Sequence, residues 1–394
     1  MSGAVLTLLL PALSLTAKDM GLTLDQSGAY EAVGSTGNFL YTGTLFPWFS
    51  APLTSNIDLY ISAGATVDYE NETLSVLPEL LRTELEFRWE NAALQVGRMY
   101  YADTLGFIVE GLFDGARITA DTSWGVWGLG AWYTGLLYKK SAHITITQDE
   151  LSAYYAKLEY TDFWDTYFAP RRLVAALDWE DPGFWKQASL RFSLIGQFDL
   201  TGSEALHHTQ YLAGRFNIPA GSFVFDLGGC VELHERSERF QVSFAGELGI
   251  GWFLPTKIQD RLMVTGRLSS GSINNDVVAF VPVTTESQGN VLKAKLSGLS
   301  MVSLDYTARL HQTLSINISS SYFILSDKIT YVGMPGERDG FFLGNEFYGI
   351  LIWSPVSDLQ IKAGGGAFLP SLGNADPHGD VQWRIELGAV LAIF

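Results

Sequence analysis

Along most of the chain, apolar and polar residues alternate one for one. In residues 81–89, Leu81, Thr83, Leu85, Phe87 and Trp89 are interleaved with Arg82, Glu84, Glu86 and Arg88. In residues 187–198, Ala188, Leu190, Phe192, Leu194 and Phe198 take turns with Gln187, Ser189, Arg191, Ser193 and Gln197. Residues 57–69, 222–234, 239–252, 302–310 and 314–324 repeat the arrangement. A period of two marks an extended chain with one apolar and one polar face. The stretches run for about 9 to 14 residues, enough to cross a bilayer at a tilt.

The breaks between stretches come in two sizes. Short connections are expected at Glu90-Asn91, 121–123, 181–183, 218–220, His311-Gln312 and 355–357. Longer ones are expected at 70–79, 136–170, 271–298 and 327–340. Short turns on the periplasmic side and long loops outside are the pattern of an outer-membrane barrel. The expected fold is therefore all-β, a transmembrane antiparallel up-and-down barrel of about 18 strands. Residues 18–394 make a single barrel domain, beginning with a strand at 21–33. Residues 1–17, an apolar stretch ending in a small residue, read as a signal peptide. Six tryptophans, Trp48, Trp89, Trp124, Trp179, Trp252 and Trp353, fall near the short-turn side. Indoles favour the headgroup layer, so these are expected to form an interfacial belt.

Composition changes the picture in one way. Apolar residues make up 47% and charged residues 17%, yet no long apolar run follows the N-terminus. Apolar content without apolar runs is what a lipid-facing barrel wall needs. The net charge of −17 opposes nucleic-acid binding. Cys230 is the single cysteine and cannot form an intramolecular disulfide.

Charges of both signs occupy the inward parity. The basic members are Arg82, Arg88, Arg98, Arg117, Arg191, Arg267 and Arg309. The acidic members are Glu84, Glu86, Asp226, Glu232, Glu247 and Asp305. Unpaired charge is costly in a dry interior, so these point to a wet, pore-lining surface, or to ion pairs that brace the wall. Two connections are expected to narrow such a pore. Residues 102–112 are too apolar for a loop in water, and 136–170 is long enough to form a cap anchored by Trp164, Tyr167 and Phe168.

The last strand, 380–394, resembles the C-terminal strand that the barrel-assembly machinery recognises. In that pattern the terminal aromatic shares the apolar face. Here Phe394 has the parity of Arg384 and Glu386, and a bulge near Gly388 would reconcile the two. A second resemblance lies in Val96-Gly97-Arg98-Met99-Tyr100-Tyr101 and Phe113-Asp114-Gly115-Ala116-Arg117. It is similar to the Gly-Arg … Asp-Gly-x-Arg hairpins of alginate-export-type outer-membrane porins. That resemblance implies a diffusion role, with Arg98 and Arg117 as lumen contacts. The mixed signs of the lumen argue against alginate itself.

The expected function is an outer-membrane porin for passive diffusion of small hydrophilic solutes. Two alternatives stay open: a dedicated saccharide or organic-acid channel of the alginate-export type, and a surface adhesin or structural barrel with a closed lumen. No catalytic constellation, cofactor site or metal site is implied. His207 and His208, near His234 and Glu235, lack the spacing of a zinc enzyme. The partners are the lipid bilayer, lipopolysaccharide, the assembly machinery and the solutes, with no nucleic acid.

Overall fold

The computed structural model describes residues 19–70, 72–185, 187–202, 206–236, 239–273, 276–328 and 339–394. The segment 1–17 lies outside them. Eighteen strands follow one another around a closed antiparallel wall, and the first pairs with the last. The first six are β1 (Asp19–Val33), β2 (Thr36–Thr54), β3 (Ile57–Glu70), β4 (Thr73–Arg88), β5 (Ala92–Ala102) and β6 (Glu110–Thr122). Next come β7 (Gly125–Tyr133), β8 (Arg172–Trp185), β9 (Ala188–Asp199), β10 (His207–Ala220), β11 (Phe223–Arg236) and β12 (Arg239–Phe253). The circuit closes with β13 (Arg261–Ser269), β14 (Leu299–His311), β15 (Leu314–Leu325), β16 (Phe342–Val356), β17 (Leu359–Leu369) and β18 (Gln382–Ile393).

The alternation becomes two faces. Leu177, Leu194, Leu212, Val231 and Phe244 stand side by side across β8 to β12 and are 38% exposed or more, an apolar band facing outward. One step along each strand, Ala176, Ile195, Tyr211, Glu232 and Ser243 form the neighbouring inward row, all of it buried. A wall apolar outside and closed on itself leaves no unpaired strand edge in lipid.

Connections leaving an even-numbered strand for the next odd one are short, at 55–56, 89–91 or 312–313 for example, and 254–260 is the longest of them. The long ones, 134–171, 270–298 and 326–341, are all at the other end. Some expected connections lie wholly or mostly inside strands. Residues 218–220 are inside β10, and β11 begins at Phe223. Residues 181–183 are inside β8, at a register shift between Asp181 and Trp185, and β9 begins at Ala188. Most of 70–79 belongs to β4, whose pairing with β3 shifts between Ile61 and Ala63. The shift exchanges the faces. Leu74, Val76 and Leu80 point outward before it, and Thr83 and Leu85 after it, so the period of two is broken and the stretch reads as a loop.

The hairpin of β5 and β6 shows why its glycines are there. Gly97, at φ +127°, pairs with Gly115, and a Cβ on Gly97 would run into the Thr83 carbonyl of β4. Trp89, Trp124, Trp252 and Trp353 are exposed near the short-turn end, and Trp179 donates from Nε1 to the Trp124 carbonyl at 2.8 Å. Trp48 departs from the belt. It shares a face with Thr44 and Ser62 and stacks on the inward Tyr60 at 6.2 Å. β18 pairs without any register shift, so no bulge forms at Gly388. Phe394 therefore keeps the inward parity of Arg384 and Glu386, and its ring meets Trp48 at 5.8 Å.

Two measurements test this wall. Leu212→Arg places a charge in the lipid-facing row and should cost about 2–4 kcal/mol of folding stability in urea titrations read by heat-modifiable gel mobility. A neutral result would mean that the row does not face lipid. For orientation, Ser371→Cys should react with an impermeant maleimide on intact cells, whereas Ser123→Cys should not. The native Cys230 is buried and should stay silent. The reverse labelling would invert the barrel.

Candidate functional site

An 18-strand barrel encloses more space than its own side chains fill, and three connections fold into it. The first, 103–109, has Leu105, Phe107, Ile108 and Val109 almost fully buried against Tyr101, Trp132, Ile195 and Tyr211. Its turn is organised by Asp103, whose carboxylate accepts from the amides of Leu105 (2.7 Å), Ile108 (2.9 Å) and Val109 (3.0 Å).

The second connection, 134–171, holds α1 (Lys139–Ala142), α2 (Gln148–Tyr155) and α3 (Phe163–Tyr167). Thr147 and Glu150 form a capping box at α2. Glu150 also receives Arg172 of β8 at 2.6 Å, deep in the wall. Tyr167 packs with Tyr138 on Leu77 of β4. Trp164, a proposed anchor, is instead 76% exposed.

The third connection, 270–298, reads from sequence as an ordinary outer loop, yet it also turns inward. Val283 donates to the Ile108 carbonyl at 2.7 Å, and the Val281 amide donates to Glu232 at 3.0 Å. Further on, the amides of Asn290, Val291 and Leu292 all donate to the buried Glu346 of β16 at 2.8–3.0 Å. Thr285 donates to the His143 carbonyl, which ties the third connection to the second.

Together these segments cover the inner wall from β5 to β12 and from β14 to β17. The inner face of β18, β1, β2 and β3 is left open, and three cavities follow it downward. The rim cavity, about 370 Å³, touches Val33, Thr36 and Asn38. The middle one, about 400 Å³, touches Glu31, Leu40 and Glu70. The lower one, about 400 Å³, touches Asp25, Thr44 and Thr66, so each step is further toward the short-turn end.

The middle cavity is where the second and third connections meet the wall. Arg384 and Lys293 lie beside Glu31, the lysine at 3.6 Å, and Lys140 pairs with Glu70 at 2.7 Å. Lys295 differs. Its ammonium donates to the Thr145 hydroxyl at 2.7 Å and has no carboxylate within ion-pair distance among the described residues. Burial without a counter-ion lowers its pKa to about 8.

The charged residues expected from sequence fall on the inward face, mostly already paired. Arg82 bonds Glu84 and lies over the Tyr60 ring, and Arg88 bonds Asp58 across from Glu86. Arg98 forks onto Asp114 at 2.9 and 2.7 Å, and Arg117 reaches Asp178 at 3.3 Å. Arg191 pairs with Glu180. Arg267 bonds Glu247 and the Gln288 side chain of the third connection. Asp226 is held by Arg215 at 2.9 Å. Glu232 meets His234 at 3.0 Å and Ser243. Asp305 accepts from Ser303, and Arg309 donates to the Gln312 carbonyl near the mouth. Of these, Arg82 and Arg98 line the lower cavity. Lys140, Lys293 and Lys295 were missed because strand parity says nothing about loops. Arg215 and Arg384 did carry a signal, the inward parity. His207 Nε2 lies 3.2 Å from His234 Nδ1, and no group of three or more His, Cys, Asp or Glu is gathered for a metal among the described residues.

No family model and no curated protein matches the chain. Solved structures do. OccK2 (OpdF) of Pseudomonas aeruginosa aligns with TM-score 0.64 over 96% of this chain and 98% of its own, at 11% identity. OpdQ of the same organism gives 0.60 over 96% and 99%, at 10% identity, and its outer membrane protein OpdK gives 0.57 over 95% and 99%, at 12%. The fold is theirs. The likeness extends to the closed-barrel fold and no further, so the kinship with alginate-export-type porins is not shown.

The anchor at Glu346 is testable by itself. Glu346→Ala removes three charge-assisted hydrogen bonds, and hydrogen exchange read by mass spectrometry should speed up at 290–292 on the order of 100-fold. Unchanged exchange with an intact barrel would show that the third connection is held elsewhere.

Proposed function

We propose that this chain is an outer-membrane channel through which small hydrophilic solutes diffuse passively. The observation that carries the reading is the lane of three cavities along β18 to β3, where the inward connections leave the inner wall uncovered. A closed structural barrel would have no use for a polar lane at the meeting point of two folded connections. The inward charges line the route or brace it, the outward rows with Trp89, Trp124, Trp179, Trp252 and Trp353 meet the bilayer, and the long-loop end meets lipopolysaccharide. β18 is the strand offered to the assembly machinery.

A carboxylate-bearing solute suits the middle cavity best. Lys295 is a partly desolvated ammonium lacking an anion, with Lys293 and Arg384 nearby. In such a setting an incoming carboxylate replaces lost hydration and meets positive potential in a narrow path. Two of the similar structures hold acids of this kind: OccK2 was solved in complex with glucuronate and OpdK with vanillate.

The test is ion selectivity against pH. Lys295 is charged below its pKa of about 8 and neutral above it, so anion preference should be greatest near pH 6 and fall as pH rises through 8. Reversal potentials in a potassium chloride gradient across planar bilayers report this directly. In Lys295→Gln the step near pH 8 should vanish. A wild-type profile that is flat from pH 6 to 9 would remove the anion-selective reading, and a barrel without conductance would remove the channel.

A further inference from the structure

The lower cavity has a different chemistry from the one above it. Its arginines are occupied, Arg82 by Glu84 and Arg98 by Asp114, so it offers no free cation to an anionic group. What it offers instead is hydroxyls, the carboxylates of Asp25 and Glu79, and an aromatic face. Asp25 is exposed on the inward face of β1, opposite Thr44, and Thr44 shares a hydrogen bond with Thr66 at 3.1 Å. Ser62 is 2% exposed, and its hydroxyl has no hydrogen-bond partner among the described residues. A buried polar atom in that state calls for a partner the protein does not itself supply.

The aromatic face is Phe46, on the same side of β2 as Thr44 and Trp48. Beside it Tyr60 is already covered, by the Arg82 guanidinium at 4.9 Å and the Trp48 ring at 6.2 Å. Phe46 enters no ring pair among the described residues, so its ring is the one still available to the lane. A volume of about 400 Å³ fits one or two sugar-sized rings.

We propose that the lower cavity is a second solute station that takes a neutral polyhydroxylated ring of the hexopyranose class. The C–H face of the ring rests on Phe46, and its hydroxyls bond Asp25, Ser62 and the Thr44–Thr66 pair. A charged acid is disfavoured because Asp25 repels it where no free cation compensates. A purely apolar solute is disfavoured because it would leave Ser62 and Asp25 unmatched. The proposal rests on the channel reading, since a sugar reaches this depth only along the lane.

The experiment uses the full-length folded protein in planar bilayers, with maltotriose as the probe and a polyethylene glycol of similar mass as the size control. Maltotriose should interrupt the potassium chloride current in resolved events, and the polymer should not. The half-blocking concentration should rise about tenfold in Asp25→Asn, the loss of one charge-assisted hydrogen bond, and by a similar factor in Phe46→Ala. Phe46→Trp keeps the platform and should stay within about twofold. Equal block by sugar and polymer, or no change in Asp25→Asn, overturns the station while the channel stands. A barrel that passes no current overturns the channel reading. In that event calorimetric titration of the detergent-solubilised protein with maltotriose decides the station separately: heat that is lost in Asp25→Asn supports it, and no heat refutes it.

Discussion

Carboxylates on the inner wall hold this molecule's interior in place by accepting hydrogen bonds from connections that fold inward. A segment that leaves water takes its amide and carbonyl groups with it, and each must find a partner. The wall cannot supply them by strand pairing, because its backbone groups are spent on the barrel. Glu232 meets Val281, Glu346 meets 290–292, and Asp103 closes its own turn. A carboxylate suits the task because it accepts several bonds at once and donates none. It also explains why so many inward charges are not free to meet a solute.

This arrangement accounts for what could be read from the sequence. Strand number, lipid face and short-turn end follow from alternation, because the outer face answers only to lipid and is therefore regular. The inward turn of 103–109 was also legible, since Leu105, Phe107, Ile108 and Val109 have no other place to be buried. The inward turn of 270–298 went unread. Its apolar run 277–283 carries the same signal as 103–109, whereas its anchors, Glu232 and Glu346, lie far away in sequence and give none. Long-range pairs of a wall acid with a loop amide leave no local pattern.

Trp48 and Phe394 make the same point at the other end. Trp48 was expected in the interfacial belt, and Phe394 would have joined the apolar face had a bulge formed near Gly388; both take the other face for one reason. At a strand end the parity of the strand, not the preference of the side chain, decides which face a residue takes. Trp48 has the parity of Thr44, and Phe394 that of Arg384, so both rings end up in the lumen mouth and pack on each other. With Tyr60 and Arg82 of the lower cavity they make an aromatic wall inside the barrel rather than a lipid belt.

The open lane follows from where the anchors are not. Packing the connections onto the wall needs either apolar inward side chains or an accepting carboxylate, and from β5 to β17 the wall provides one or the other on nearly every strand, as Tyr101, Tyr211, Glu232, Phe323 and Glu346 illustrate. On β18, β1 and β2 the inward residues include Arg384, Glu31, Asp25, Thr42 and Thr44. Arg384 and Glu31 satisfy each other, and Thr42 bonds Asp68 of β3. Side chains that satisfy one another along the wall ask nothing of a loop. The apolar Leu40 and Phe46 on the same face of β2 stand singly among them, too few to seat a connection, and are left to line the cavities.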